Sequence, residues 1–126
     1  YNMRKYLLHV LIISFVFLLA PTAHVASYAG EPVLLEHYRQ AVRKNPDDAR
    51  AYFDLGNVYG RSGKWEEARE AWQQAIRIDP DFVEAHSNLG LAYYLLGNYK
   101  KAIESCKQAI RIDPDDARAH NHLGVA

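Results

Sequence analysis

The chain has too little cysteine to hold itself together by disulfides. Cys106 is its one cysteine, so an internal disulfide is excluded. Its formal net charge is zero at pH 7, with 15 basic and 15 acidic residues, so nothing in the charge balance points to a nucleic-acid surface. At 126 residues the chain has room for one domain. These absences favour an ordinary globular domain over a disulfide scaffold or a nucleic-acid binder.

The sequence also lacks the motifs of the common enzyme classes. It contains no phosphate-binding P-loop, no G-x-S-x-G and no H-E-x-x-H. His120 and His122 are two residues apart, so on a helix they point to different sides. No other set of ligands shows the convergent spacing of a metal site. We therefore expect no catalysis, no metal and no cofactor.

What the chain has instead is an internal repeat. Residues 49–82 return as residues 83–116, and the block AIRIDPD is identical in both copies, at an offset of about 34 residues. This period is typical of arrays of paired helices. The sequence predicts first helices over about 48–62, 82–96 and 116 onward, and second helices over about 65–78 and 99–112. A further helix is predicted over residues 31–44, with Pro32 in its first turn.

Turn and cap residues separate the predicted helices. Gly63 and Gly97 fall between the two helices of each pair, where a left-handed residue commonly ends a helix. Aspartates precede the three first helices, where a carboxylate accepts hydrogen bonds from free backbone N–H groups: Asp47-Asp48, Asp81 and Asp115-Asp116. Spacings of four residues place the larger apolar residues on common helix faces. The predicted helix-pair core comprises Leu55, Tyr59, Trp72, Leu89 and Tyr93.

These residues resemble the tetratricopeptide repeat family. The family pattern reads W-x2-L-G-x2-Y, then A-x3-F, then P. The first copy meets it with Tyr52, Leu55, Gly56, Tyr59, Ala68, Trp72 and Pro80. The second copy departs from it at His86 and at Cys106, where a small core thiol is expected in place of an aromatic ring. The resemblance covers residues 31–126 and implies an all-α fold, a right-handed α-solenoid of antiparallel helix pairs.

The resemblance also implies that the concave side of the first helices binds a peptide segment of another protein. Leu91, Tyr94 and Phe53 are expected to supply apolar contact outside the core, and the asparagines to bond the peptide backbone. The candidate partner-binding residues are Arg50, Phe53, Asn57, Glu84, Asn88, Leu91, Tyr94, Arg118, Asn121 and His122.

A more specialised site of the family is less well matched. Some tetratricopeptide proteins clamp a C-terminal carboxylate with two asparagines and several basic residues. Asn57 and Asn88 match those asparagines by position, and Arg118 replaces a lysine. Phe53 and His122, however, stand where two of the cations would be. Because a carboxylate needs those cations, we favour a mixed groove for an extended or helical peptide.

The first 29 residues differ from the rest of the chain. Arg4 and Lys5 precede an apolar run over residues 7–20, and small residues follow Pro21. This order is typical of a secretory signal peptide. A helix of about 14 residues is ~21 Å long, which is shorter than the ~30 Å hydrocarbon core of a bilayer. Residues 1–29 are therefore interpreted as a cleaved signal peptide, with a membrane anchor as the alternative.

Residues 30–126 are interpreted as the repeat domain, with a helix at 31–44, repeats at 49–82 and 83–116, and a partial repeat at 117–126. The partial repeat suggests a piece of a longer array. The expected function is a non-catalytic protein-interaction module, periplasmic or secreted, with a protein or peptide partner and no nucleic acid. The alternatives are the repeat portion of a larger enzyme and a membrane-anchored scaffold, which would contact the bilayer through residues 7–20.

The signal-peptide interpretation predicts where the exported chain begins. Expressed in a bacterium with its full N-terminus, the chain should leave the cytoplasm and be cleaved within about residues 25–31, after the small residues that suit a signal peptidase. N-terminal sequencing of the exported product measures this. An intact chain recovered from the soluble cytoplasm would contradict the interpretation.

Overall fold

The described part of the chain is helical. The computed structural model describes residues 3–4 and 22–125. Over residues 22–125 it has six α-helices and no strand, which confirms the all-α prediction. The helices are α1 (Thr22–Lys44), α2 (Ala49–Arg61), α3 (Trp65–Ile78), α4 (Val83–Leu95), α5 (Tyr99–Ile112) and α6 (Ala117–Val125).

The chain consists of two compact units that meet in sequence after Val33. Helices α2 to α6 belong to the second unit, Leu34–Ala126. The apolar run at residues 7–20 lies outside the described residues. Over the residues that are described, no helix combines the length and apolar character that crossing a bilayer requires.

The predicted helix bounds hold closely for α2 to α6 and fail for α1. Helices α3 and α5 span the predicted residues 65–78 and 99–112. Gly63 and Gly97 end the first helices in the left-handed region, with φ of 72° and 80°. Helix α1 begins at Thr22, before the predicted residue 31, and carries Pro32 inside it. Three of the eight residues at 22–29 are alanine, the strongest helix former, and none is proline or glycine, so the helix can begin before the predicted start.

Two of the three predicted aspartate caps are present. Asp48 accepts a hydrogen bond from the Ala51 N–H at 3.1 Å. Asp116 accepts one from the Arg118 N–H at 3.2 Å. The prediction for Asp81 is wrong, because Phe82 occupies the N-cap position of α4 and makes no side-chain cap. In the repeat frame Phe82 is the residue equivalent to Asp48 and Asp116, so α4 begins with an aromatic ring in place of a carboxylate.

Each helix from α2 onward packs against the next one in the chain. Alanine fills much of the contact between helices, which lets the backbones approach closely. Six alanines there are fully buried, Ala68, Ala75, Ala85, Ala92, Ala109 and Ala119. The predicted core residues Leu55, Trp72, Leu89 and Tyr93 are buried, which confirms that part of the prediction, and Tyr59 packs against them half-buried. Helix α1 is joined to α2 by Arg39, which donates to the Tyr59 hydroxyl at 3.2 Å.

Glycine sets the approach of the two helices in each pair. A Cβ added at Gly56 would lie 2.5 Å from Trp72 Nε1, and one added at Gly90 would lie 2.5 Å from Cys106 Sγ. At Gly90 the Ala102 carbonyl oxygen and the Cys106 backbone nitrogen are also within 4 Å. In the second unit the smaller Cys106 thus leaves the backbone of α5 close to α4. In the first unit the indole of Trp72 lies between α2 and α3.

We expect Gly56→Ala to destabilise the fold by about 1–3 kcal/mol, the usual cost of overpacking a core. Alanine favours a helix over glycine by ~1 kcal/mol, so any loss of stability must come from the clash with Trp72. Urea unfolding of both proteins measures the change.

The matched control is Gly124→Ala in α6, where an added Cβ would meet nothing within 4 Å. It should leave the unfolding midpoint unchanged or raise it slightly. If Gly56→Ala behaved like this control, the space beside Trp72 would be larger than the structure shows.

Candidate functional site

The first helices of the three units, α2, α4 and α6, lie side by side. Asn88 on α4 donates to Asn57 on α2, and His122 on α6 reaches the backbone of α4 at Ser87. The surface they share is called the inner face, and it comprises Asn57, Gly60, Asn88, Leu91 and His122. Four of these five were predicted partner-binding residues, and the structure brings those four onto adjoining helices.

A chain of hydrogen bonds fixes the two asparagines of the inner face. Trp72 Nε1 donates to Asn57 Oδ1 at 3.3 Å and to the Phe53 carbonyl at 3.2 Å. Asn88 Nδ2 donates to the same Asn57 oxygen at 3.0 Å. An indole N–H only donates, so Asn57 must present its oxygen to Trp72, and Asn88 must then present its NH2 group. Each amide orientation therefore follows from the one before it.

This arrangement leaves one donor group and one acceptor of the asparagine pair unpaired within the described residues. Within the residues that the structure describes, no protein group bonds the NH2 of Asn57 or the Oδ1 of Asn88. Among the described residues no buried side-chain nitrogen or oxygen lacks a hydrogen-bond partner, so these two unpaired atoms are accessible to a ligand. A donor beside an acceptor is the pair that a peptide backbone complements with its own C=O and N–H.

The predicted role of Phe53 as a contact outside the core is wrong. Its ring is 5 % exposed and belongs to the core cluster. It packs against the ring of Phe82, with ring centroids 4.8 Å apart. The reason lies at the start of α4: Phe82 takes the N-cap position there, and its ring meets Phe53 between the two helices.

The equivalent contact between α4 and α6 is polar. One repeat on from Phe53 and Phe82, the chain has Ser87 and Asp116. Ser87 is fully buried, and its hydroxyl donates to Asp116 Oδ2. An aromatic pair at the first junction is thus replaced by a hydrogen-bonded pair at the second.

The carboxyl group of Asp116 is held in its charged form. Burial by itself would raise its pKa, but the hydrogen bond from Ser87 and those from the backbone N–H groups of Arg118 and Ala119, with the charge of Arg118, lower the pKa below its ordinary value. The Asp116 side chain is only 8 % exposed, so these bonds act with little screening by water.

The other candidates on α6 are arranged around this junction. His122 Nδ1 lies 2.9 Å from the Ser87 carbonyl. A carbonyl only accepts, so Nδ1 carries the hydrogen and Nε2 is left for other partners. Arg118 pairs with Asp116 at 3.7 Å, and Asn121 is exposed. His122 and Arg118 are therefore engaged within the domain.

The remaining candidates differ in how available they are. Arg50 forms an ion pair with Asp54 at 3.3 Å and lies over the Phe53 ring at 5.2 Å. The Tyr94 ring lies 5.5 Å from the ring of Tyr99 and packs against the core. Glu84 and Leu91 are half-buried.

A pocket of about 470 Å³ opens on the inner face between α2, α3 and α4. Three predicted residues, Asn57, Asn88 and Leu91, contribute to it. Four other residues line it that were not among the predicted binding residues, Gly60, Arg61, Trp65 and Trp72. One sequence signal could have found it: Gly60 stands where the second unit has Tyr94, so the first unit lacks a side chain there.

Two observations concern metal ligands and the cysteine. Within residues 3–4 and 22–125, no group of three or more His, Cys, Asp or Glu side chains is placed to hold a metal ion. The Cys106 thiol is fully buried, and burial, with a smaller effect of the Asp116 charge, raises its pKa. A buried thiol that stays protonated is a poor nucleophile, which agrees with the predicted core role.

Comparison with protein families finds two matching models. One, described as a tetratricopeptide repeat, matches residues 53–117. The other, described as a TPR repeat, matches residues 35–63. No curated protein sequence matches the chain.

Solved structures show the same fold. The crystal structure of MamA is 31 % identical over 72 % of this chain, with a TM-score of 0.69. YrrB, described as a TPR protein with an unusual peptide-binding site, is 28 % identical over 77 % of the chain, also with a TM-score of 0.69. The second TPR domain of human RPAP3 is 23 % identical over 72 % of the chain, with a TM-score of 0.70, and the match covers 76 % of that domain. The matches span about half of the other two, 53 % of MamA and 50 % of YrrB.

The Ser87–Asp116 junction predicts a pH-dependent attachment of α6. Because the folded pKa of Asp116 lies below its unfolded value of about 3.9, the ionised carboxylate stabilises the junction above about pH 4. That stabilisation is lost as the pH falls through the folded pKa. Hydrogen-exchange protection factors for α6 should therefore drop in acid, and Asp116→Asn should lower them at neutral pH and remove much of the pH dependence.

The exposed neighbour Asp115 supplies the matched control. Its side chain accepts no hydrogen bond within the described residues, so Asp115→Asn should leave the protection of α6 as in the parent chain. If Asp116→Asn kept the full pH dependence, another group would hold α6 in place.

Proposed function

Because this chain belongs to the tetratricopeptide repeat family, we propose that it is a non-catalytic interaction module that binds a peptide segment of a partner protein on its inner face. The segment lies across α2 and α4 in an extended conformation. Its backbone bonds the two asparagines, and its side chains meet the pocket beside them. The occupant is a protein segment because the open polar atoms of this face match a peptide backbone.

The observation that carries the proposal is the open donor and acceptor of the asparagine pair. Asn57 Oδ1 is already occupied by Trp72 and Asn88, so the amides are held in place before any ligand arrives. Fixed groups lose little side-chain entropy when a ligand binds. An extended peptide offers N–H and C=O groups along its length, and such main-chain bonds give affinity without demanding one sequence.

A solved relative supports the same kind of ligand. YrrB, at 28 % identity, is described as having a peptide-binding site. The chain shows no strong net charge to draw in a highly charged partner. Arg118 and His122 are bonded within the domain, so the inner face offers few free cations for a carboxylate clamp.

The location of the module outside the cytoplasm is a second part of the proposal. Arg4, Lys5 and the apolar run over residues 7–20 support export through a signal peptide. The partner is then a protein of the periplasm, the envelope or the extracellular space. If the run is retained as an anchor, the same module acts as a scaffold at the membrane.

We expect Asn88→Ala to weaken binding of the partner about fivefold, because one hydrogen bond of this kind contributes ~1 kcal/mol. The test first captures a partner with the parent chain, identifies it by mass spectrometry, and then titrates it against each variant. Asn88 only donates to Asn57, so its loss should leave the far-ultraviolet circular dichroism and the urea midpoint nearly unchanged. Asn57→Ala should also lower stability, because Trp72 loses an acceptor.

Glu67→Ala is the matched control, a truncation of an exposed residue on α3 outside the pocket. It should bind as the parent chain does. Normal binding by Asn88→Ala together with lost binding by Glu67→Ala would place the partner on the opposite face and overturn the proposal.

A further inference from the structure

The two full units differ at the turn end of their first helix. Gly60 and Trp65 in the first unit correspond to Tyr94 and Tyr99 in the second, one repeat later. In the second unit the two tyrosine rings lie 5.5 Å apart, with their planes at 52°. The first unit has no side chain at the equivalent of Tyr94. The pocket on the inner face lies at this place, so its existence depends on one glycine.

The walls of the pocket beside Gly60 are aromatic. A Cβ placed on Gly60 would lie 3.3 Å from Trp65 Cζ3 and 3.3 Å from Trp72 Cη2, so the two indole edges flank this position. Leu91 adds an aliphatic surface on the side of α4. The edge of an aromatic ring carries partial positive charge, and it favours the face of a second ring in a T-shaped contact. Such walls therefore suit a flat aromatic side chain.

An exposed cation stands at the same place. Arg61 is exposed and lines the pocket, and it forms no ion pair within the described residues. By contrast, Arg50 pairs with Asp54 and Arg118 with Asp116. The residue equivalent to Arg61 in the second unit is the apolar Leu95. Positive charge that is free to meet a ligand on this face is thus concentrated beside the aromatic walls.

We propose that this pocket binds an aromatic side chain of the partner segment, and that Arg61 pairs with an aspartate or glutamate next to it. The recognised segment is an extended acidic peptide with an aromatic residue, and its backbone lies on Asn57 and Asn88. This inference rests on the proposed peptide-binding function and adds the class of sequence that is bound. The pocket volume of about 470 Å³ is in the range of ligand sites, and its mostly apolar lining with a few polar groups is typical of them.

The chain carries its own reporter for the test. It has two tryptophans, and both line this pocket. Tryptophan fluorescence, or the two indole N–H signals in a nuclear magnetic resonance spectrum, therefore follows binding at the pocket directly. The probes are three synthetic peptides in one glycine–serine background that carry Phe-Asp, Ala-Asp or Phe-Asn at their centre.

We expect the Phe-Asp peptide to bind the full chain most tightly. Replacing its Phe by Ala should weaken binding roughly tenfold, because burial of the ring is lost. Replacing its Asp by Asn should weaken binding about two- to fivefold, as befits an exposed ion pair. Both indole signals should shift with the Phe-Asp peptide, and much less with the Ala-Asp peptide.

Two variants exchange residues of the first unit for those of the second. Gly60→Tyr fills the pocket and should reduce the preference for Phe over Ala to less than about twofold, since the ring site is lost. Arg61→Leu should remove the preference for Asp over Asn and keep the preference for Phe. The matched control Arg77→Gln removes an exposed charge on α3 outside the pocket and should change neither preference. Circular dichroism checks the fold of each variant, and Arg61→Leu tests the proposal even if Gly60→Tyr does not fold.

Other outcomes separate this inference from the function it rests on. Equal binding of the three peptides, with Asn88→Ala still weakening all of them, would overturn the pocket assignment and keep the peptide-binding function. Failure of all three peptides to bind, while binding of the captured partner still depends on Asn88, would likewise overturn the pocket assignment and keep the peptide-binding function. A captured partner indifferent to Asn88 would overturn both. Sedimentation that showed self-association, abolished by Gly60→Tyr, would make a second copy of the chain the occupant and overturn the proposal.

Discussion

The structure depends on how closely the two helices of each unit approach. At Gly56 and Gly90 no Cβ fits, because Trp72 and Cys106 occupy the space that it would need. Buried alanines surround these points, so the two helices of each unit pack closely. This approach orients Trp72 toward α2, and the indole N–H then fixes Asn57 and, through it, Asn88. The orientation of the two asparagines on the inner face is thus a consequence of the core.

Much of the fold could be predicted from the sequence, because the repeat period and the glycine and proline positions fix the helices. The inner-face positions of Asn57, Asn88 and Leu91 were implied by the resemblance to the family. The prediction for Phe53 was wrong because it depended on a neighbour in space. The Phe53 ring is buried because Phe82, and not a cap aspartate, begins α4. The pocket was missed for a related reason. The space at Gly60 is a pocket only because Trp65 and Trp72 lie beside it, and the sequence does not show that contact.

The two units share a backbone and differ in chemistry. The first unit has an open pocket with tryptophan walls and a free arginine, where the second has a pair of packed tyrosine rings. The family pattern constrains the residues that hold the helices together, and it leaves the inner face free to vary. The two units therefore differ most in the inner-face residues, which the family pattern does not constrain.

The junctions between units also differ, and this constrains how the units can be arranged. Phe53 meets Phe82 at the first junction, and Ser87 meets Asp116 at the second. If residues 82–115 were excised as a block, Asp116 would take the place of Phe82 and bring its carboxylate against the ring of Phe53. A phenyl ring offers no hydrogen bond to a buried carboxylate. The residues that meet at each junction are therefore matched to one another, so the units cannot be reordered without losing these contacts.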